Sequence, residues 1–119
     1  VDAIDTVSGK IALIETANEY SIPIISSMGA GNKLDPTLFT ITDIYKTNTD
    51  PLSRVMRREL KKRGIKKLNV VWSPEKPIEN KIEIQNEGKK RPAPGSISFV
   101  PSVAGLIIAS KVISDLGEM

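Results

Sequence analysis

Neither cysteine nor histidine occurs anywhere in the 119 residues of this chain. Without thiols there is no disulfide framework, no zinc centre built on Cys and no thiol nucleophile. Without imidazole the commonest general base is missing. The hydroxyls of Ser73, Ser96, Ser98 and Ser102 therefore have no His to activate them, and none is assigned as a nucleophile. Aromatic residues are scarce: Phe39, Phe99, Tyr20, Tyr45 and Trp72 are the whole set. The longest apolar run, 103–109, has Gly105 inside it and is far shorter than the roughly 20 residues that cross a bilayer. No transmembrane helix and no membrane partner are expected.

An apolar fraction of 39% with 26% charged residues describes a soluble globular chain. Its length leaves room for one compact domain, since single domains run to roughly 100 to 150 residues. The chain opens at Val1 on an apolar-to-acidic stretch, with no basic and then apolar leader, so it reads as cut from something longer. With no signal and no Cys, the expected address is cytoplasmic.

The net charge of +3 conceals a block structure. Residues 1–50 hold three Lys against seven acids, residues 51–70 hold eight basic residues against Glu59 alone, and the remainder balances. Asp50-Pro51 reads as an N-cap and first helical position, and Gly64 as a C-terminal stop, which predicts a helix over 51–63. Leu52, Val55, Met56 and Leu60 form its apolar stripe. Arg54, Arg57, Arg58, Lys61, Lys62 and Arg63 then make a cationic ridge that Lys66 and Lys67 extend. Such a ridge suits a phosphate backbone, because each cation that neutralises a phosphate releases counterions; a solvated basic face is the bland alternative. Lys89-Lys90-Arg91 forms a second basic cluster. The aromatics are not interleaved with the basic run, which favours backbone or shape recognition over base stacking.

Hydrophobic patterning predicts an α/β fold. Residues 1–4 read as the end of a buried strand, 8–20 as a helix with Ile11, Ala12, Ile14 and Glu15 at near-helical spacing, and 22–28 as a strand, making a βαβ unit. A further strand is expected over 38–45 and another over 68–73. Residues 74–96 hold four of the eight Pro, with Gly88 and Gly95, and read as a mobile loop containing at most a marginal strand at 81–85. An apolar helix over 101–116 follows, with Pro101 in its first turn, Gly117 past its end, and Val103, Leu106, Ile107, Ala109, Ser110 and Ile113 facing the sheet.

Asp5 falls at the carboxyl end of the first predicted strand, where open α/β sheets place ligands. A carboxylate there can hold a magnesium ion that bridges nucleotide phosphates, or can simply cap the next helix. Lys10, one turn on, can reach a phosphate or remain a surface Lys. Gly29-Ala30-Gly31 lacks the third glycine of a dinucleotide fingerprint and reads better as a strand-to-strand turn than as a phosphate loop.

The succession Asp2-Ala3-Ile4-Asp5-Thr6 with Lys10, Ile22-Pro23-Ile24, Gly29-Ala30-Gly31, Leu34-Asp35-Pro36-Thr37, Thr42-Asp43, Lys46-Thr47 and Asp50-Pro51-Leu52 resembles the tRNA threonylcarbamoyladenosine dehydratases. These are a branch of the HesA/MoeB/ThiF superfamily of ATP-dependent adenylating enzymes related to ubiquitin-activating enzymes. The resemblance extends through Val70-Val71-Trp72-Ser73 and Pro94-Gly95-Ser96 to Gly105-Leu106-Ile107.

The resemblance implies the C-terminal part of a Rossmann-like adenylating fold, a mixed sheet with flanking helices, with residues 1–119 forming a single portion of it. The glycine-rich ATP loop and the Arg and Lys phosphate ligands of that family have no counterpart here, so the ATP-binding half is expected to be absent and the segment alone inactive. The implied reaction adenylates the carboxylate of a modified tRNA adenosine and cyclises it with loss of water. Asp5 would be the magnesium-ATP aspartate, Lys10 a basic residue near the nucleotide, and Arg54, Arg57, Arg58, Lys61, Lys62, Arg63, Lys66 and Lys67 the tRNA contact. ATP and Mg2+ are the implied cofactors, without zinc, and a homodimer is the implied assembly. Two other readings stay open: a non-catalytic RNA-binding or dimerisation module, and adenylation of a ubiquitin-like sulfur carrier.

Overall fold

A computed structural model describes residues 1–79 and 95–118. Among the described residues three α-helices and three strands follow one another in the order α1 (Val7–Glu19), β1 (Ile25–Ser27), β2 (Thr40–Asp43), α2 (Pro51–Lys62), β3 (Asn69–Trp72) and α3 (Phe99–Leu116). The sheet runs in the order β1-β3-β2. β1 pairs parallel to β3 with Ser26 opposite Val70, and β2 pairs antiparallel to β3 with Ile41 opposite Val71. The sheet is mixed, as the sequence implied.

Both faces of β3 are covered, which the run Val70-Val71-Trp72 makes possible because successive side chains point to opposite sides. Val70 and Trp72 join Ile11 and Ile14 of α1, Met56 and Leu60 of α2, and Met28, Ile44, Ile65 and Leu68 in one core. Val71 joins Ile25, Phe39 and, from α3, Val100, Ala104 and Ile108 in the other. The result is a three-layer arrangement with α1 and α2 on one side and α3 on the other.

Local capping sets the helix ends. Thr6 Oγ1 accepts the Gly9 amide at 3.2 Å and caps α1. Asp50 accepts the Ser53 amide at 2.9 Å, Pro51 opens α2, and Gly64 leaves it at φ +72°, the left-handed conformation that favours glycine.

Several expectations change. Residues 1–4 are not a buried apolar strand end: Val1 and Ile4 are exposed, and it is Asp2 that is buried, held by a single parallel bridge to Ser26. In α1 the inward face is Lys10, Ile11, Ile14 and Ala17 in place of Ala12 and Glu15. The 22–28 strand shortens to β1, after a Pro23 that offers no amide to a ladder. The 38–45 strand keeps only β2. Asp35 and Asp43 accept the amides of Thr37 and Tyr45, both at 2.9 Å, and curl the flanking residues into 3-10 turns.

α3 begins at Phe99, two residues earlier than expected, and it docks by a different stripe. Val100, Ala104 and Ile108 meet the sheet, while Leu106 and Ile113 are 70% and 60% exposed. The stripe at i, i+4, i+8 follows one helix face, and Ala104 permits the close approach. By length and mean hydropathy alone, 1.6 over 18 residues, α3 is long and apolar enough to cross a membrane, a test that a helix packed on a sheet can also pass. The expected strand at 81–85, the Lys89-Lys90-Arg91 cluster and most of the expected 74–96 loop lie outside the described residues.

Candidate functional site

The parallel strands direct their carboxyl ends to one edge of the sheet, and three chain segments meet there. The first is the bend after Asp2. Asp2 donates its amide to the Ile25 carbonyl at 2.9 Å and accepts the Ser27 amide at 2.8 Å, so residues 1–4 run alongside β1. Asp2 Oδ1 then accepts the Ile4 amide at 3.0 Å and turns the chain outward. Asp5 stands on that bend, exposed and without a protein partner among the described residues. It does not cap α1, since Thr6 does.

Lys10 is inside the fold. Its Nζ donates to Asp2 Oδ2 at 3.3 Å and to the Ser27 carbonyl at 2.7 Å, and the residue is 2% exposed. Ser26 Oγ donates to the same Asp2 oxygen. The ammonium expected near a phosphate is therefore used to neutralise a buried carboxylate and to tie α1 to the end of β1. A buried charge must be paired, and Asp2, in the segment that precedes α1, supplies the partner directly.

The second segment is the loop 29–35. Asn32 takes φ 58°, and its Oδ1 accepts the Gly95 amide at 2.6 Å. Glu75, just beyond β3, accepts the amides of Leu34 at 2.7 Å and Asp35 at 2.8 Å, and Ile78 donates its amide to the Asn32 carbonyl at 2.7 Å. The loop is thus held to the chain leaving β3.

The third segment is the start of α2. Asp50 is buried, and its Oδ2 accepts from the Ser53 amide, Ser53 Oγ at 2.8 Å and the Gly29 amide at 3.1 Å. Its Oδ1 accepts from Lys33 Nζ at 2.8 Å, and Lys33 also donates to the Gly29 carbonyl at 2.7 Å. Burial pushes the Asp50 carboxyl upward, but the Lys33 ammonium and the Ser53 donors outweigh it and hold the group below the usual carboxylate range. A Cβ on Gly29 would lie 2.2 Å from Asp50 Oδ1, so this position needs glycine for space.

α2 carries the basic ridge away from this edge. Met56 and Leu60 are buried with Ser53, and Leu52 and Val55 are half-buried, which matches the expected stripe with Ser53 added. The eight cations are not equivalent. Arg57 turns back onto Thr47. Glu59 gathers Arg58 and Lys62 at 3.4 Å and Arg63 at 2.8 Å, and Arg63 also meets Glu15 of α1 at 3.1 Å. The Arg63 guanidinium leads the donors that keep the Glu59 carboxyl below its ordinary range. Arg54, Lys61, Lys66 and Lys67 are exposed with no ion-pair partner among the described residues. Lys61 and Lys66 border one shallow cleft with Tyr45, whereas Lys67 borders a separate apolar groove between α1 and the end of α3.

Among the described residues no three acidic side chains converge as a metal cage. Mg2+ takes one or two carboxylates and completes its octahedron with water and phosphate oxygens, and the Asp5 carboxylate is exposed. The sequence had singled out Asp5 and the ridge but not Asp2, Lys33, Ser53 or Glu75, and had read Asp50 as a cap only. The one local signal was Gly29, a glycine directly after an apolar strand.

No family model matches the chain. The curated tRNA threonylcarbamoyladenosine dehydratase of Bacillus subtilis is 46% identical over 98% of this chain, and dehydratase 2 of Saccharomyces cerevisiae is 37% identical over 99% of it. The chain spans 49% of the first relative and 30% of the second, about half their length or less. Among solved structures, the Escherichia coli tRNA N6-threonylcarbamoyladenosine dehydratase in complex with ATP superposes with a TM-score of 0.79 at 28% identity, over 98% of this chain and 46% of that one. The same enzyme in complex with AMP gives a TM-score of 0.75.

Proposed function

We propose that this chain, which matches the C-terminal part of the tRNA threonylcarbamoyladenosine dehydratases in sequence and fold, supplies the tRNA-gripping and nucleotide-facing parts of such an enzyme. The whole protein would act on the carboxylate of threonylcarbamoyladenosine in tRNA and close it to a ring with loss of water. ATP, the co-substrate, would adenylate that carboxylate with release of pyrophosphate, and ring closure would then expel AMP, which carries away the carboxylate oxygen. With no Cys in the chain, no thioester on this segment enters the route.

Each residue then has a task. Asp5 would hold a magnesium ion, which would supply neutralising charge to the bound nucleotide. Lys10 acts from inside, neutralising Asp2 so that the bend presenting Asp5 keeps its shape. Arg54, Lys61 and Lys66 meet the tRNA backbone first, and Arg58, Lys62, Arg63 and Lys67 add to the field around them. The enzyme works in the cytoplasm as a homodimer.

The observation that carries this reading is the attachment of α2 to the carboxyl edge: the helix that bears the ridge is bonded through Asp50 to the loop that follows β1. Binding of the full-length protein to tRNA at two salt concentrations tests it. A steep salt dependence that Arg54→Glu/Lys61→Glu/Lys66→Glu abolishes is expected. Unchanged binding by that variant would remove α2 from the tRNA contact.

A further inference from the structure

We propose that Lys33 and Asp50 are positioning residues whose buried pair holds the N-terminus of α2 against the loop 29–35, so that the basic helix and the carboxyl edge of the sheet keep one fixed spacing. This rests on the reading of α2 as the tRNA contact. The pair lies well inside, with side chains 1% and 2% exposed, and each member touches both elements. Lys33 donates to the Gly29 carbonyl and to Asp50, while Asp50 accepts from the Gly29 amide and from the first turn of α2.

Helix capping alone does not account for this arrangement. A Ser, Thr or Asn at position 50 would cap α2 about as well and would need no counter-ion. The carboxylate instead draws an ammonium from 17 residues away into the interior, where an unpaired charge is costly. What the charged pair adds over a neutral cap is a link between two segments that no backbone ladder joins. The loop is clamped on its other flank by Glu75, so α2, the loop and the exit of β3 form one continuous bonded path.

Such a link matters for a macromolecular substrate gripped at one place and altered at another. A tRNA held by the ridge must deliver its modified nucleoside to the edge where Asp5 stands, and misplacement by about 1 Å can lower a rate by about 10²-fold.

The test compares the full-length protein with Lys33→Met, Asp50→Asn and the double variant, which buries no charge and keeps the proposal testable if a single variant fails to fold. In the folded double variant, tRNA affinity stays within about twofold, because neither residue meets phosphate. Its kcat falls by about 10- to 100-fold. Amide hydrogen exchange rises in the loop 29–35 and in the first turn of α2 together. A folded double variant with wild-type kcat, or exchange that rises in one of the two segments alone, overturns the proposal. If the wild-type protein fails to bind tRNA, the reading of α2 falls, and the exchange result by itself still decides whether the pair couples the two segments.

Discussion

The Arg57 guanidinium folds back onto Thr47, donating through Nη1 to the threonine carbonyl at 2.9 Å and to its hydroxyl at 2.6 Å. The side chain therefore ties the middle of α2 to the turn that precedes it, and its charge is half withdrawn from the ridge. Arg54 and Lys61, on the same helix, have no ion-pair partner among the described residues.

The two kinds of cation should separate by experiment. Arg54→Ala/Lys61→Ala should lower the slope of log affinity for tRNA against log salt by about 2 while leaving stability within about 0.5 kcal/mol. Arg57→Ala should do the reverse, costing about 1.5 to 3 kcal/mol in urea unfolding through its lost charge-assisted bonds and changing the salt slope little. Equal effects of both variants on the slope would contradict this division.

Lys10 and Asp2 behave as a unit. Lys10→Met leaves the Asp2 carboxylate buried with only Ser26 and the Ile4 amide for company, a loss expected to cost about 3–5 kcal/mol. Adding Asp2→Asn removes the stranded charge and should restore much of that. Denaturant midpoints of the two variants check the point, and a double variant no more stable than Lys10→Met would refute it.

Gly29→Ala places a methyl on Asp50 Oδ1. Overpacking of this kind costs typically about 1–3 kcal/mol. In the same variant the α2 N-cap should loosen, seen as faster exchange of the Ser53 amide. A thermal midpoint equal to wild type would show that the carboxylate has room to move.

The pH dependence of stability has a definite sign. Asp50 titrates lower in the fold than its unfolded value of about 3.9. The unfolded chain therefore binds more protons between the two values, and the stabilisation is whole above about pH 4 and lost as pH falls through the folded value. Asp50→Asn should flatten this acid limb of the stability curve. An unchanged acid limb in that variant would mean that other carboxylates carry it.

What the sequence determined by itself was local. Asp50-Pro51 and Gly64 bounded α2 because a cap, a fixed φ and a left-handed exit each act within a few residues. The density of cations on α2 and the alternation of apolar strands with helices are also written in the order of residues, and with them the α/β class and the family resemblance. Only the tertiary structure decided which charges go inside. Lys10 reads as a surface lysine by spacing and nothing local marks Lys33, and both are buried because Asp2 and Asp50 arrive from segments 8 and 17 residues away. The docking stripe of α3 differs from the expected one for a related reason: a helix apolar on most of its surface offers several faces, and the space over Ile25, Phe39 and Val71 selects Val100, Ala104 and Ile108. Likewise the ridge was legible as composition, but its division into paired and open cations depends on where Thr47, Glu15 and Glu59 come to lie.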